Sequence, residues 1–227
     1  MELIFLRHGE PAWAVDGMSQ PDPHLTERGH VQARLAAERL ANDPLGIDEI
    51  IVSSAVRAVE TAQPLERACG LTATIEPDLV EMKMPRWDGL LERDVQRIFA
   101  EARHRTPEEW WDGLPGGESF RDFHSRITGA VRRILAERGV LPDPSGGHMW
   151  HAPQEDRRVV LVCHGGTNSV AIGHLLGVDP TPWEWERFIL GHCSIARVKA
   201  VDLAGGQVFS LRALNDRDHL PAEVRTR

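Results

Sequence analysis

Leu3-Ile4-Phe5-Leu6, followed at once by Arg7-His8-Gly9-Glu10, decides how the rest of the chain is read. Four apolar residues that end in a charged, glycine-containing turn predict a strand buried on both faces, delivering side chains to its C-terminal edge. In open α/β sheets that edge is where ligands bind. Packing alone explains the His8–Arg7 pair poorly, because burying both groups demands polar partners. A neutral imidazole beside a fixed guanidinium suits attack on a phosphoryl group.

Two later stretches repeat the pattern. Glu49-Ile50-Ile51-Val52 runs into Ser53-Ser54, after which a helix is predicted with Ala58, Thr61, Ala62 and Leu65 toward the sheet and Arg57 in its first turn. An arginine there opposes the helix dipole unless an anion or carboxylate lies close, so Arg57 points to an anion at the edge that carries His8. Val159-Val160-Leu161-Val162-Cys163 ends in His164-Gly165-Gly166, and a helix through Val170, Ile172, Leu175 and Leu176 follows. Two separate strands that each bring a histidine and a glycine to one edge speak against packing as the sole explanation.

Between these stretches the pattern is less regular. Residues 11–24, rich in Pro, Asp and Gly, predict a loop over the strand edge, and Thr26 is the predicted N-cap of a helix with an apolar stripe at Val31, Leu35 and Leu40. A third short strand is expected over 71–75. Residues 82–117 lack a clean period apart from a helical piece at 93–102, and are expected to form an insertion that caps the edge. Phe120, Phe123, Ile127, Val131, Ile134 and Leu135 then mark an amphipathic helix. Residues 140–157 are expected to be a mobile loop, and 194–201 with 208–214 an antiparallel hairpin at one side of the sheet, followed by a frayed end. Trp183, Trp185 and Phe188 are expected to pack over the site, whereas Trp87, Trp110, Trp111 and Trp150 suit either a small core or a pocket wall. The architecture implied is an α/β, three-layer α/β/α sandwich with a mostly parallel central sheet, forming one domain over 1–227.

Composition narrows the chemistry. With 34 Asp and Glu against 26 Lys and Arg the net charge is −8, which leaves no footprint for nucleic acid or an anionic membrane surface. The start, Met1-Glu2 and four apolar residues, lacks the pattern of a signal peptide, and a cytoplasmic location is expected. Cys69, Cys163 and Cys193 have no CxxC spacing, so neither a disulfide framework nor a zinc ribbon is expected. Tyrosine is absent and lysine occurs only at Lys83 and Lys199, which leaves His, Asp, Glu, Ser and Cys for chemistry. His148 and His151 lack a fixed third ligand, and no metal is expected there.

Taken together, Arg7-His8-Gly9-Glu10, Leu25-Thr26 with Gly29, Ser53-Ser54 with Arg57-Ala58 and Thr61-Ala62, Glu81, Pro115-Gly116-Gly117-Glu118-Ser119 and His164-Gly165-Gly166 resemble the histidine phosphatase superfamily. The resemblance covers most of the chain and implies the phosphoglycerate mutase-like fold. It implies His8 as nucleophile, Arg7, Arg57 and His164 as holders of the phosphoryl oxygens, and Gly9, Gly165 and Thr26 in the substrate-binding set. Glu81 matches the proton donor to the leaving alcohol, with Asp78 and Asp88 as fallbacks. It also implies a reaction without cofactor or metal, His164 acting as a protonated imidazole.

The chain departs from the family pattern at Ala14, where many relatives have a phosphate-contacting asparagine, and the role of His192 in Gly191-His192-Cys193-Ser194 is open. The segment between Glu81 and Glu118 is short, and Lys83, Arg86 and Arg93 are scattered, which favours hydrolysis of a small phosphorylated metabolite over mutase chemistry. A phosphoglycerate mutase-type transferase, a non-catalytic phospholigand binder and a metal-dependent hydrolase on His8, His164 and His192 are the alternatives. A homodimer through the hairpin edge is a further expectation.

Overall fold

The computed structural model describes all residues except Asp88, Ser145, Gly147, Gln154 and Glu155. Asp88, the second fallback donor, therefore lies outside the described residues.

The chain opens with β1 (Glu2–Arg7), then a small hairpin, β2 (Ala14–Val15) and β3 (Met18–Ser19), where a plain loop is expected. Helix α1 (Glu27–Ala41) begins at Thr26, whose hydroxyl accepts from the Gly29 N–H as the sequence predicts. After β4 (Glu49–Ser53) comes α2 (Val56–Cys69), which ends on Gly70 at φ 66°, the left-handed conformation glycine adopts without strain. The third strand is shorter and later than expected, β5 (Thr74–Glu76). The insertion carries α3 (Glu92–Ala102) and α4 (Pro107–Trp111), the latter held by a reciprocal Thr106–Glu109 capping box. Helix α5 (Phe120–Ala136), capped by Ser119, is followed by β6 (Leu141–Pro142), β7 (Trp150–His151), β8 (Arg158–Cys163), α6 (Gly165–Leu175), α7 (Glu184–Arg187), β9 (Ile195–Leu203) and β10 (Gly206–Asp216).

The eight-stranded sheet runs β5-β4-β8-β1-β9-β10-β7-β6. Strands β5, β4, β8 and β1 are mutually parallel, and from β9 outward every pairing is antiparallel. The expected hairpin is β9–β10. The described part of the expected loop over 140–157 contributes β6 and β7 to the sheet, and Val140 and Trp150 are buried in the core beneath β10. The sheet thus continues past β10, so the hairpin is not its outer edge.

Alternation along β1 separates the layers. Leu3 and Phe5 face a core with α5 and α6, including Phe120, Phe123, Ile127 and Val170. Ile4 and Leu6 face a second core with Ala33, Ala36 and Leu40 of α1 and Ala58 and Leu65 of α2. The result is the α/β/α sandwich read from the sequence. At the opposite end of the sheet from the site, buried Arg158 bonds Glu2 at 2.7 Å and Asp43 at 2.9 Å. Arg158's hydrogen bond is the main partner that lowers the Asp43 carboxyl to about 2. No helix among the described residues is long and apolar enough to cross a membrane.

One buried acid sits between α6 and α7. Glu184 is 1% exposed; its Oε1 accepts from the Thr181 N–H, while Oε2 has no hydrogen-bond partner among the described residues. Burial raises its pKa from 4.5 to about 7. A raised pKa in the fold means a stabilising contribution that is complete below the unfolded value and is lost as pH rises through about 7. Glu184→Gln is therefore expected to stabilise the protein by about 1–2 kcal/mol at pH 8 and far less at pH 5. Thermal melts at the two pH values check this; a variant equally affected at both would refute it.

Candidate active site

The parallel strands β1, β4 and β8 end side by side, and each supplies the site from its last residue or the turn beyond it. From β1 come Arg7, His8 and Gly9; from the β4 turn come Ser53 and, one helical turn on, Arg57; from β8 comes His164. Glu81 arrives from the chain after β5. The expected set converges, with one exception described below.

His8 is 2% exposed and its Nδ1 lies 2.7 Å from the Gly9 carbonyl oxygen. A carbonyl only accepts, so Nδ1 carries the proton and Nε2 keeps its lone pair. Burial first, then the neighbouring His164 ring and the charges of Arg7 and Arg57, push the His8 pKa well below its ordinary value, so the ring is neutral at physiological pH. A neutral ring with a free Nε2 is the nucleophilic form.

Arg57 is 6% exposed, stacked over Trp13 at 5.0 Å and paired with Asp22 at 3.3 Å. Asp22 also accepts from the Val56 N–H, so the loop after β1 supplies the cap that α2 lacks at Ala55. Position 14, where the family asparagine is missing, lies in β2 directly after this Trp13. The Nε atoms of Arg7 and Arg57 and Nδ1 of His164 are buried without a partner among the described residues. Two guanidinium donors left unmatched beside a neutral histidine are the pattern of an anion site, since buried polar groups are ordinarily paired.

His164 sits 5.1 Å from His8, ring centre to ring centre, with Nε2 2.8 Å from Ser53 Oγ. Its expected protonated state is corrected. Burial and the flanking Arg57 and Arg7 hold its pKa well below the ordinary value, so the unliganded ring is neutral. An arriving dianion acts in the opposite direction.

Glu81 is half-buried. Its Oε2 accepts from the Gly166 N–H at 2.9 Å, in the first turn of α6, and its Oε1 from the Met82 N–H at 3.0 Å. A Cβ on Gly166 would stand 2.6 Å from Oε1, so glycine is what allows the approach. The Pro115–Ser119 motif acts on the same group from behind. Glu118 binds Arg126 through both carboxylate oxygens, and Arg126 in turn donates to the carbonyls of Asp78, Val80 and Glu81. Asp78, the first fallback, instead pairs with Arg133 at 2.9 Å.

Thr26 stands apart. Its hydroxyl caps α1 and bonds Glu10, so its contacts belong to the scaffold and not to the phosphate pocket. The Gly9 N–H is likewise committed, to Thr61 Oγ1 at 3.0 Å, and a Cβ on Gly9 would meet the Gly29 carbonyl at 2.6 Å. Gly165 packs beside Arg7. His192, left open by the sequence, reaches the site: its Nε2 is 3.2 Å from Arg7 Nη2 and its ring centre 5.5 Å from that of His8. Sequence assigns neither Ser53 nor His192 a role: Ser53 is marked only as a polar residue ending an apolar run, and His192 only as a histidine whose reach into the site is open. Among the described residues no group of three His, Cys, Asp or Glu is placed to hold a metal ion.

From Arg7, Glu81, Gly165 and Gly166 a cavity of about 800 Å³ opens between the insertion and the 183–190 segment. Trp110, Trp185 and Phe188 wall it, with Lys83, Arg103 and Arg105 among its cations. Arg86 and Arg93 are not among its lining residues. Trp111 packs on Phe120 and Trp150 on Phe209, so these two belong to the core.

Known proteins resemble this chain in sequence and in fold. The chain is 31% identical over 232 aligned positions to the probable phosphoglycerate mutase GpmB of Salmonella newport, covering 98% of this chain and 96% of that protein. A mycobacterial glucosyl-3-phosphoglycerate phosphatase solved with VO3 superposes with a TM-score of 0.72 at 27% identity, over 95% of this chain and 99% of that one. The α-ribazole phosphatase from Shigella flexneri shares the fold, with a TM-score of 0.72 at 24% identity over 95% of this chain and 96% of its own. The model of the histidine phosphatase superfamily (branch 1) matches residues 3–141, and with this active-site geometry the chain belongs to that family.

Proposed function

We propose that the chain is a phosphomonoesterase that works through a phosphohistidine on His8. The observation that carries this is the enforced tautomer of His8, which leaves Nε2 unprotonated in a buried site whose two arginines keep unmatched Nε donors. In the first step Nε2 attacks phosphorus, the ester P–O bond breaks, and Glu81 gives its proton to the leaving oxygen. In the second, the Glu81 carboxylate takes a proton from water, the water oxygen attacks phosphorus, and the N–P bond breaks to release phosphate. Arg7, Arg57 and the His164 Nδ1 edge bind the equatorial oxygens, where charge is spread in the transition state.

A leaving group larger than a triose is supported by the cavity, whose volume of about 800 Å³ falls within the roughly 300–1,000 Å³ typical of sites that enclose drug-sized ligands. Its aromatic walls and cations suit a phosphorylated metabolite with a ring or sugar body. The name of the glucosyl-3-phosphoglycerate phosphatase agrees with that choice, while that of the mutase relative favours transfer to a second hydroxyl.

The test is turnover of an aryl phosphate in chelator, quenched rapidly in alkali and followed by intact-mass analysis. A phosphorylated protein whose label survives alkali and is lost in acid, with phosphate released continuously to water, is the expected result. Vanadate, which takes up the five-coordinate geometry, is expected to inhibit. Turnover without such a label, or release only when a second phosphoester is supplied, would overturn the hydrolase reading.

A further inference from the structure

The 3-10 turn at Ala222–Val224 and the residues after it, expected to be frayed, are instead threaded into the active site. Gln32 of α1 donates from Nε2 to the Val224 carbonyl at 2.6 Å and to Thr226 Oγ1 at 2.9 Å. Its Oε1 accepts from the Glu10 N–H at 2.8 Å, in the turn directly after His8 and Gly9. On the other side, Thr226 Oγ1 lies 2.7 Å from His192 Nδ1, and the Thr226 carbonyl accepts from the His192 N–H at 3.3 Å. Arg7 completes the circuit through Nη2 on His192 Nε2, with Nη1 on the Leu190 carbonyl.

The direction of every bond is forced. A guanidinium only donates, so His192 Nε2 accepts and carries no proton. Burial and the charge of Arg7 lower the His192 pKa to about 3, so the ring is neutral and its one proton is on Nδ1. Thr226 Oγ1 must then accept from Nδ1, and it also accepts from the Gln32 amide, whose carbonyl end holds the turn beside the nucleophile. Two of the five N–H donors of Arg7 are thereby tied to the segment before β9, and its unmatched Nε edge is left for the phosphoryl group.

We propose that His192 and Thr226 are positioning residues: together they lock the plane of the Arg7 guanidinium onto the phosphoryl oxygens, with Thr226 accepting from the Nδ1–H of the His192 tautomer that Arg7 requires. The proposal rests on Arg7 gripping phosphate, as in the hydrolase reading. Because a fixed donor fork loses less freedom on binding than a loose one, loss of the circuit acts mainly on anion affinity.

The experiment combines ¹⁵N NMR of the His192 ring with KM, kcat and the inhibition constant of inorganic phosphate for His192→Leu, His192→Gln, Thr226→Val and Thr226→Ser. The wild type is expected to be protonated on Nδ1. His192→Leu is expected to raise KM and the phosphate constant together by about tenfold, the scale of one hydrogen bond to a charged group, with kcat changed much less. His192→Gln, whose amide oxygen can accept from Arg7, restores most of the affinity. Thr226→Val leaves Nδ1–H without its acceptor, loosens the ring and weakens phosphate several-fold, whereas Thr226→Ser behaves as wild type. A wild-type ring protonated on Nε2, or an unchanged phosphate constant in His192→Leu, would overturn the proposal; the first readout needs no variant to fold. If wild type binds phosphate yet turns over no ester, the hydrolase reading fails on its own, and the tautomer and phosphate constants still decide the role of His192.

Discussion

Replacing His8 by alanine is expected to lower kcat/KM for an aryl phosphate by about 10⁴-fold or more, the scale seen when a nucleophile that acts as one unit with its neighbours is removed. The magnitude follows from how completely the site is built around that ring. The Gly9 carbonyl sets its proton on Nδ1, burial and two arginines keep it neutral, and Arg7, Arg57 and His164 carry donors without other partners. The arginines have no lone pair to offer phosphorus, and Nε2 of His164 is engaged by Ser53. Phosphate affinity is expected to persist in the variant, because the guanidiniums remain. Steady-state assays and phosphate binding measured side by side check this, and turnover within tenfold of wild type would exclude His8 as the nucleophile.

Gly166→Ala is expected to lower kcat by about 10²–10³-fold with little loss of stability, the usual reach of a single positioned proton donor. The added methyl would lie 2.6 Å from Glu81 Oε1, and what yields is the end of a side chain and not the backbone. Glu81 swings away, losing the Gly166 N–H, while α6 stays in place. The contrast is Gly9→Ala, where the methyl meets the Gly29 carbonyl at 2.6 Å and the two segments themselves must part, so stability falls with activity. A substrate whose leaving group needs no proton, such as a strongly acidic phenol, is expected to recover part of the first step in Gly166→Ala but not in His8→Ala. Equal losses on acidic and basic leaving groups would detach Glu81 from proton donation.

The parts of this site that were legible are those written in local pattern. Each unbroken apolar run, at Leu3, Ile50 and Val159, becomes a buried parallel strand, and the residue types just beyond each run name the chemistry. Arg57 was placed by its conflict with the helix dipole, and the structure resolves the conflict with Asp22 and the Glu81 charge. What stayed hidden depends on contacts between distant segments. His192 lies 185 residues from Arg7 and Thr226 lies 194 from Gln32, and periodicity reports how a segment is buried, not which segment buries it. Residues 140–157 looked mobile for the same reason, since two-residue strands against an edge leave no alternation to detect. The charge state of His164 is not legible either, because it is set first by burial and then by Arg57 and Arg7, which distant segments bring to it.

The position of β8 in the sheet has a consequence for how the protein is made. Val159 of β8 pairs with Leu3 on one side and Glu49 on the other, so β1 and β4 never touch and each waits for the same late strand. A nascent chain therefore emerges from the ribosome with His8 and Arg57 following strands that have no common partner until residues beyond 158 have been synthesised. Closing pairings of that sequence separation is slow, and in the interval both strand edges stand open to other chains. The same insertion makes activity a readout of completion, because the strand that seals the sheet also delivers His164.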